Sequence, residues 1–149
     1  MQTLVKKILT TQSGLGVSLL RLVLGGIFFK AGAGKLFGWF GGIGIAGATE
    51  FFQSIGIPFP ALNVYFVGTI EFLGGIALLL GLFTRLAAFP FVITMVVAIF
   101  TAHRDGDFYY PLVLLTGSIA LLETGGGSLS LDRWIGRKEA CDSCAPATS

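Results

Sequence analysis

The chain consists largely of apolar stretches that are separated by short segments containing glycine or charged residues. Four stretches approach the roughly 20 mostly apolar residues that a helix needs to cross the hydrocarbon of a bilayer. Helices are the expected form for them, because every backbone polar group in lipid must be paired within the protein. The pattern predicts an all-α fold, a four-helix transmembrane bundle whose spans are residues 16–33, 61–82, 85–102 and 109–122.

The loop after the first span is predicted to contain a short helix. Residues 32–47 are rich in glycine, whereas residues 48–55 read ATEFFQSI and are followed by Gly56 and Pro58. This order is typical of a helix that ends at glycine, and it places Glu50 in the first turn, where a negative charge is favourable. The aromatic side chains of this loop indicate a position in the membrane interface.

Composition supports a membrane location. The apolar fraction is 54% and the charged fraction is 12%, about half of the roughly 25% that soluble domains carry. So few charges do not cover a soluble surface of this size. The net charge of +2 and the scattered basic residues give no indication of a nucleic-acid partner, so the lipid bilayer is the expected environment.

The distribution of Lys and Arg predicts the orientation, because these residues are in excess in cytoplasmic loops. An even number of spans places both termini on one face of the membrane. That face carries most of the basic residues: Lys6, Lys7, Arg85, Arg133, Arg137 and Lys138. The other face carries Lys30, Lys35 and Arg104. Both termini are therefore expected in the cytoplasm, and the first span, which Arg21 interrupts, is expected to be retained rather than cleaved as a signal peptide.

Ionisable residues within the spans are the strongest functional signal. Arg21, Glu71 and Glu123 lie in apolar surroundings, where a charge costs roughly 2.5 to 3.5 kcal/mol at a helix centre unless it faces a partner. We expect a buried network of Arg21 with Glu71 and Glu123, with Lys30 or Lys35 at the outer mouth. Two interpretations stay open: the network fixes helix register, or it forms a polar pocket that binds a quinone head group or relays protons.

Two further features are candidate sites. His103 lies at the outer end of the third span, and its ordinary pKa near 6.5 suits proton exchange. It could equally be a solvated loop histidine. Cys141 and Cys144 form a CxxC motif in the last nine residues. Tails of two chains could combine them into a zinc site, while the polar surroundings favour an unstructured, reducible tail; no other metal site is predicted.

Several motifs, in their order along the chain, resemble the DoxX family. They are the segment 21–38 with its Gly25, Gly32 and Lys35, then Gly56-Ile-Pro58, Glu71-Phe-Leu-Gly-Gly75, residues 81–88, His103 and Leu131-Asp132. The resemblance covers residues 18–134 and implies a four-helix bacterial inner-membrane protein. The family takes its name from a subunit linked to thiosulfate:quinone oxidoreductase, and some members are associated with redox partners. Many members have a histidine where this chain has Ala31, which weakens the transfer of any histidine-dependent mechanism.

These observations together predict a DoxX-like membrane domain over residues 1–134 and a polar, flexible cytoplasmic tail over residues 135–149. The predicted function is that of a redox-associated inner-membrane subunit that binds a quinone or a lipid-like ligand. It would be a non-catalytic subunit of a quinone-linked oxidoreductase. Redox proteins and further copies of the chain are the expected protein partners. The alternatives are a small-solute permease or a membrane scaffold. Candidates for ligand binding or proton relay are Arg21, Lys35, Glu71, His103 and Glu123; no catalytic residue is assigned.

Overall fold

The computed structural model describes residues 14–102 and 108–125, and this part of the chain is helical throughout. Its elements are α1 (Leu15–Phe37), a single 3₁₀ turn (Trp39–Gly41), α2 (Gly44–Ser54), α3 (Pro60–Leu80), α4 (Thr84–Thr101) and α5 (Tyr109–Thr124). The predicted all-α fold is thereby confirmed. Helices α1, α3 and α4 are long and apolar enough to cross a membrane, and α5 is a shorter apolar helix of 16 residues.

The two largest differences from the predicted boundaries are at the end of α1 and the start of α2, and the first of them matters for the site. α1 continues to Phe37, one turn beyond the predicted end at residue 33. α2 begins at Gly44, so Glu50 lies in its second turn, and its predicted place in the first turn was wrong. α2 forms in spite of its glycines because Ala48 and Phe52 bury their side chains against Val64 of α3, and such packing overrides the low helix propensity of glycine.

α1 and α3 run antiparallel and contact each other backbone to backbone. A Cβ atom at Gly32 would overlap the backbone nitrogen of Phe72, and one at Gly75 would lie 2.5 Å from the backbone nitrogen of Phe29. Only glycine fits at these two positions. Small residues at a helix crossing allow this close approach in membrane proteins, where van der Waals packing drives helix association.

The apolar core lies between the four long helices. The rings of Phe28 and Phe91 stack with centroids 3.7 Å apart, and both side chains are fully buried. The buried residues packed with them come from all four helices: Leu24, Leu78, Ala88, Met95, Leu114 and Leu121. This core separates two ends of the bundle, called here the Arg21 end and the Lys35 end after residues near the two ends of α1.

Candidate functional site

A buried ion pair joins α1 to α3. The ammonium Nζ of Lys35 lies 2.5 Å from Oε2 of Glu71, and the two side chains are 25% and 4% exposed. Lys35 is in the last turn of α1, and Glu71 is at the middle of α3. The glycine contacts between these helices bring the two side chains together, since a Cβ at Gly68 would lie only 3.6 Å from the Cβ of Lys35.

Arg21 does not join this pair, so the predicted contact between Arg21 and Glu71 was wrong. Arg21 is buried, at 2% exposure, but it lies 14 residues before Lys35 on α1. At about 1.5 Å per residue, this separates the two positions by roughly 21 Å along the axis. The error came from the predicted end of α1, because a loop lysine at residue 35 left Arg21 as the nearest cation for Glu71.

Glu123 does not join the pair either. Its side chain is exposed. Its described contact is made by the backbone, because Nη2 of Arg85 donates a hydrogen bond of 2.9 Å to the Glu123 carbonyl oxygen. This contact ties the end of α5 to the start of α4 at the Arg21 end. Arg21, Glu71 and Glu123 therefore do not form the single network that the sequence suggested.

Three sequence candidates lie outside the described residues, namely His103, Cys141 and Cys144. The same holds for most basic residues that predict the orientation, and for the tail. Within residues 14–102 and 108–125, no three His, Cys, Asp or Glu residues come together in a way that could hold a metal ion.

A cavity of about 380 Å³ lies at the Lys35 end and has the ion pair in its wall. This cavity, the central cavity, is bounded by all five helices, with α2 contributing Phe51 and Phe52. Its lining is largely apolar, and its volume falls within the roughly 300 to 1,000 Å³ that is usual for small-molecule sites. Polar groups come from Lys35, Glu71, Asn63, Thr94, Thr101 and Tyr110.

Three of these polar groups offer donors to a ligand, as far as the described residues go: Lys35, Tyr110 and the second N–H of the Asn63 amide. The hydrogen-bonding side chains of Asn63, Thr94 and Thr101 already donate to backbone carbonyl oxygens, at 2.6, 3.0 and 2.8 Å. The Lys35 ammonium has three N–H groups and gives one to Glu71. Tyr110 lines the cavity, is 56% exposed, and its hydroxyl has no hydrogen-bond acceptor among the described residues. An acceptor-bearing ligand would meet donors of Lys35, Tyr110 and Asn63.

Exposed side chains of α3 and α4 in the lining indicate an opening of the central cavity between these two helices. Phe66 of α3 and Ile93 and Val97 of α4 line the cavity and are also exposed on the outside of the bundle. Ile93 lies at the middle of α4, a helix with the length and hydropathy to cross a membrane. An opening at this level faces lipid chains rather than water.

A second cavity, of about 560 Å³, lies beside the first and is called the loop cavity. Its walls come from the end of α1, from Tyr110 and from residues 39–43, which the 3₁₀ turn folds back over α1. It shares Lys35 and Tyr110 with the central cavity and adds Lys30. The sequence analysis missed Tyr110, because no pattern distinguishes it from Tyr109, which lines neither cavity.

The fold and the site define a class of protein: a small helical membrane protein with an apolar cavity and a buried ion pair in its wall. The DoxX family model matches residues 16–104, and the chain belongs to the DoxX family, as the sequence motifs had indicated.

Individual relatives agree with this assignment. The chain is 34% identical to "Putative oxidoreductase CatD" of Bacillus subtilis, over 81% of this chain and 87% of that protein. It is 29% identical to "Inner membrane protein YqjF" of Escherichia coli, over 83% and 94% of the two chains. It is also 36% identical to "Uncharacterized membrane protein Rv3486" of Mycobacterium tuberculosis, over 58% and 64%. No solved structure matches the chain significantly.

Proposed function

We propose that the chain is a redox-associated subunit of the bacterial inner membrane that binds a quinone in the central cavity. The observation that carries this proposal is the combination of a largely apolar cavity with hydrogen-bond donors from Lys35, Tyr110 and Asn63 in its lining. Quinone carbonyl oxygens are hydrogen-bond acceptors, and the ring and isoprenoid tail are apolar. A site of this composition fits both parts of the molecule.

The sideways opening supports a ligand that is dissolved in the bilayer. Phe66, Ile93 and Val97 form a rim at the level of the lipid chains, so a tail can leave the cavity without meeting water. Support for the redox role comes from the name of the Bacillus subtilis relative, and support for the inner membrane from that of the Escherichia coli relative. A partner protein would then carry out the oxidation chemistry.

The packing below the central cavity favours a binding site over a channel. Phe28 and Phe91 stack there and are fully buried. In the part of the chain that the structure describes, they close the route from the cavity toward the Arg21 end. A small-solute permease would need a hydrated path through this layer.

The test is quinone binding by the purified chain in nanodiscs, measured by mass spectrometry with ubiquinone and menaquinone analogues that carry one or two isoprene units. Wild type is expected to retain one quinone per chain. Tyr110→Phe removes one hydrogen bond, worth about 0.5 to 1.5 kcal/mol, and is expected to weaken binding about 2- to 10-fold. Tyr109→Phe is the matched control, since the neighbouring tyrosine lines neither cavity.

Two results would overturn the proposal. If wild type retains neither analogue, the central cavity does not hold a quinone, and a scaffold role gains support. If Tyr110→Phe and Tyr109→Phe bind equally well, the quinone binds elsewhere on the chain. Purification from native membranes with identification of co-purified proteins then tests the redox partner, whose absence would contradict the subunit role.

We also propose that both termini face the cytoplasm. Lys30 and Lys35 are at the Lys35 end of the bundle and Arg85 is at the opposite end, in agreement with the predicted division of basic residues. A C-terminal fusion to alkaline phosphatase, which is active only outside the cytoplasm, tests this orientation. An inactive fusion is expected, whereas an active one would reverse it.

A further inference from the structure

The loop cavity combines two lysines with an aromatic and glycine-rich wall. Its lining includes Lys30 and Lys35 and contains no Asp or Glu. Lys35 already has Glu71 as its partner, whereas Lys30 makes no ion pair with any residue that the structure describes. The linings of the two cavities together therefore carry one positive charge in excess.

Lys30 carries a charge that has no counter-ion among the described residues, and its position in the helix is unusual for such a charge. It lies within α1, about two turns before the helix ends, in a helix that is apolar enough to cross a membrane. Ionisable groups at such positions normally face a partner or mark a functional site. The 3₁₀ turn forms one wall of the cavity, because Gly42 packs directly against Gly34 and brings Trp39 into the lining beside Lys30, both of which remain exposed.

The start of α2 adds to the positive potential. α2 begins at Gly44, directly after Ile43, which lines the loop cavity. The first turn of this helix contains no acidic residue. The positive end of its dipole is thus not balanced within the helix, and it favours a negative group nearby.

We propose that the loop cavity is a second binding site, and that it takes a group with one negative charge, a phosphate ester or a carboxylate, between Lys30 and Lys35. This site goes beyond the proposed quinone site, which lies in the central cavity. Trp39 and Phe40 at the rim fit an anion that carries an apolar part, since aromatic residues prefer the headgroup level of a membrane. The anion has two sources, an acidic lipid headgroup or a free anion in water.

The experiment measures the thermal unfolding midpoint and native mass spectrum of the full chain in nanodiscs. One arm replaces phosphatidylcholine stepwise with phosphatidylglycerol, and the other adds inorganic phosphate to discs of phosphatidylcholine alone. Stabilisation in the first arm only identifies a lipid headgroup, and stabilisation in the second identifies a free anion. Either result supports the site if it depends on Lys30.

Lys30→Gln and Lys30→Arg form the decisive pair of variants, because Lys30 is exposed, lines only the loop cavity, and can be replaced without opening the core. A lost charge-assisted hydrogen bond predicts about 10- to 100-fold weaker retention of the anion by Lys30→Gln. Lys30→Arg keeps the charge and is expected to retain it. No stabilisation by either anion, or equal retention by Lys30→Gln and wild type, would overturn the proposal. Quinone binding, measured separately on the same variants, reports on the central cavity.

Discussion

Lys35 and Glu71 are the two halves of an ion pair, with Nζ and Oε2 2.5 Å apart, that ties the last turn of α1 to the middle of α3. The Glu71 side chain is almost completely buried, whereas the Lys35 side chain is 25% exposed. The Glu71 carboxylate can lie in the middle of an apolar helix because α1 supplies its counter-ion, Lys35. The contact also places the only described side-chain ion pair in the wall of the central cavity.

Removing one partner of this pair is expected to cost more stability than removing both charges. Lys35→Met leaves the Glu71 carboxylate buried without its counter-ion, and such losses cost about 3 to 5 kcal/mol in buried pairs. The partial exposure of Lys35 puts the expected cost at the lower end of that range. The double variant Lys35→Met with Glu71→Gln has no charge to bury and is expected to recover most of the stability. Thermal unfolding of both variants in one detergent measures the difference.

The outcome that contradicts this prediction is equal stability of the single and double variants. That result would mean that the Glu71 carboxylate does not need the ammonium, because it takes up a proton or because water reaches it from the cavity. Glu71→Gln alone serves as the reference for the loss of charge without the loss of Lys35.

The glycine contacts between α1 and α3 give a second prediction. Gly32→Ala would force a methyl group into the backbone of Phe72, and overpacking of this kind costs about 1 to 3 kcal/mol or more. Gly26 lies on the same helix and has open space around its Cβ position, so Gly26→Ala is expected to cause no loss. The thermal unfolding midpoint separates the two variants. Equal midpoints would show that α1 and α3 can move apart at little cost.

Much of the fold could be predicted from the sequence because hydrophobic length is a direct requirement of the bilayer. The four apolar stretches became α1, α3, α4 and α5, each with ends within about one turn of the prediction. The ends themselves were less certain, because glycine lowers helix propensity and the sequence does not show what a glycine packs against. Gly34 is such a case: it lay beyond the predicted end of the span at residue 33, but it lies inside α1, where it packs against Gly42.

The predicted end of α1 at residue 33 also limited how much of the site could be predicted. Glu71 was identified correctly as a buried ionisable group, because its apolar neighbours leave few other readings. The partner of Glu71 could not be predicted from the expected end of α1. Lys35 points to Glu71 only because α1 continues one turn past residue 33. Tyr110 could not be found at all, because its place in both cavities depends on how α5 packs against α1 and α4.

Glu123 gives a third prediction, of a neutral substitution. Arg85 donates to the Glu123 carbonyl oxygen, which every residue type provides, and the Glu123 side chain is exposed. Glu123→Gln is therefore expected to change neither the unfolding midpoint nor quinone binding, within about 0.5 kcal/mol. A clear loss in either measurement would show that this carboxylate has a role that the described contacts do not contain.

The rim of the central cavity gives the last prediction, which concerns the route of the ligand. Val96 and Val97 are neighbours on α4 and both are exposed, but only Val97 lines the cavity. Val97→Trp is expected to fill the gap between α3 and α4, whereas Val96→Trp adds the same ring where it lines neither cavity. A quinone whose tail passes through the gap would then bind at least about tenfold more weakly to Val97→Trp, a change of roughly 1.4 kcal/mol.

The tail length of the quinone makes this prediction specific. A tailless benzoquinone fits inside the cavity and has no need of the gap, so Val97→Trp is expected to weaken its binding less than that of an analogue with several isoprene units. Mass spectrometry of both ligands with both variants gives the four affinities. If Val97→Trp affects the two ligands equally, the tryptophan has disturbed the cavity itself. If it affects neither, the ligand does not extend between α3 and α4, and the loop cavity, which shares Lys35 and Tyr110 with the central one, becomes the route to test.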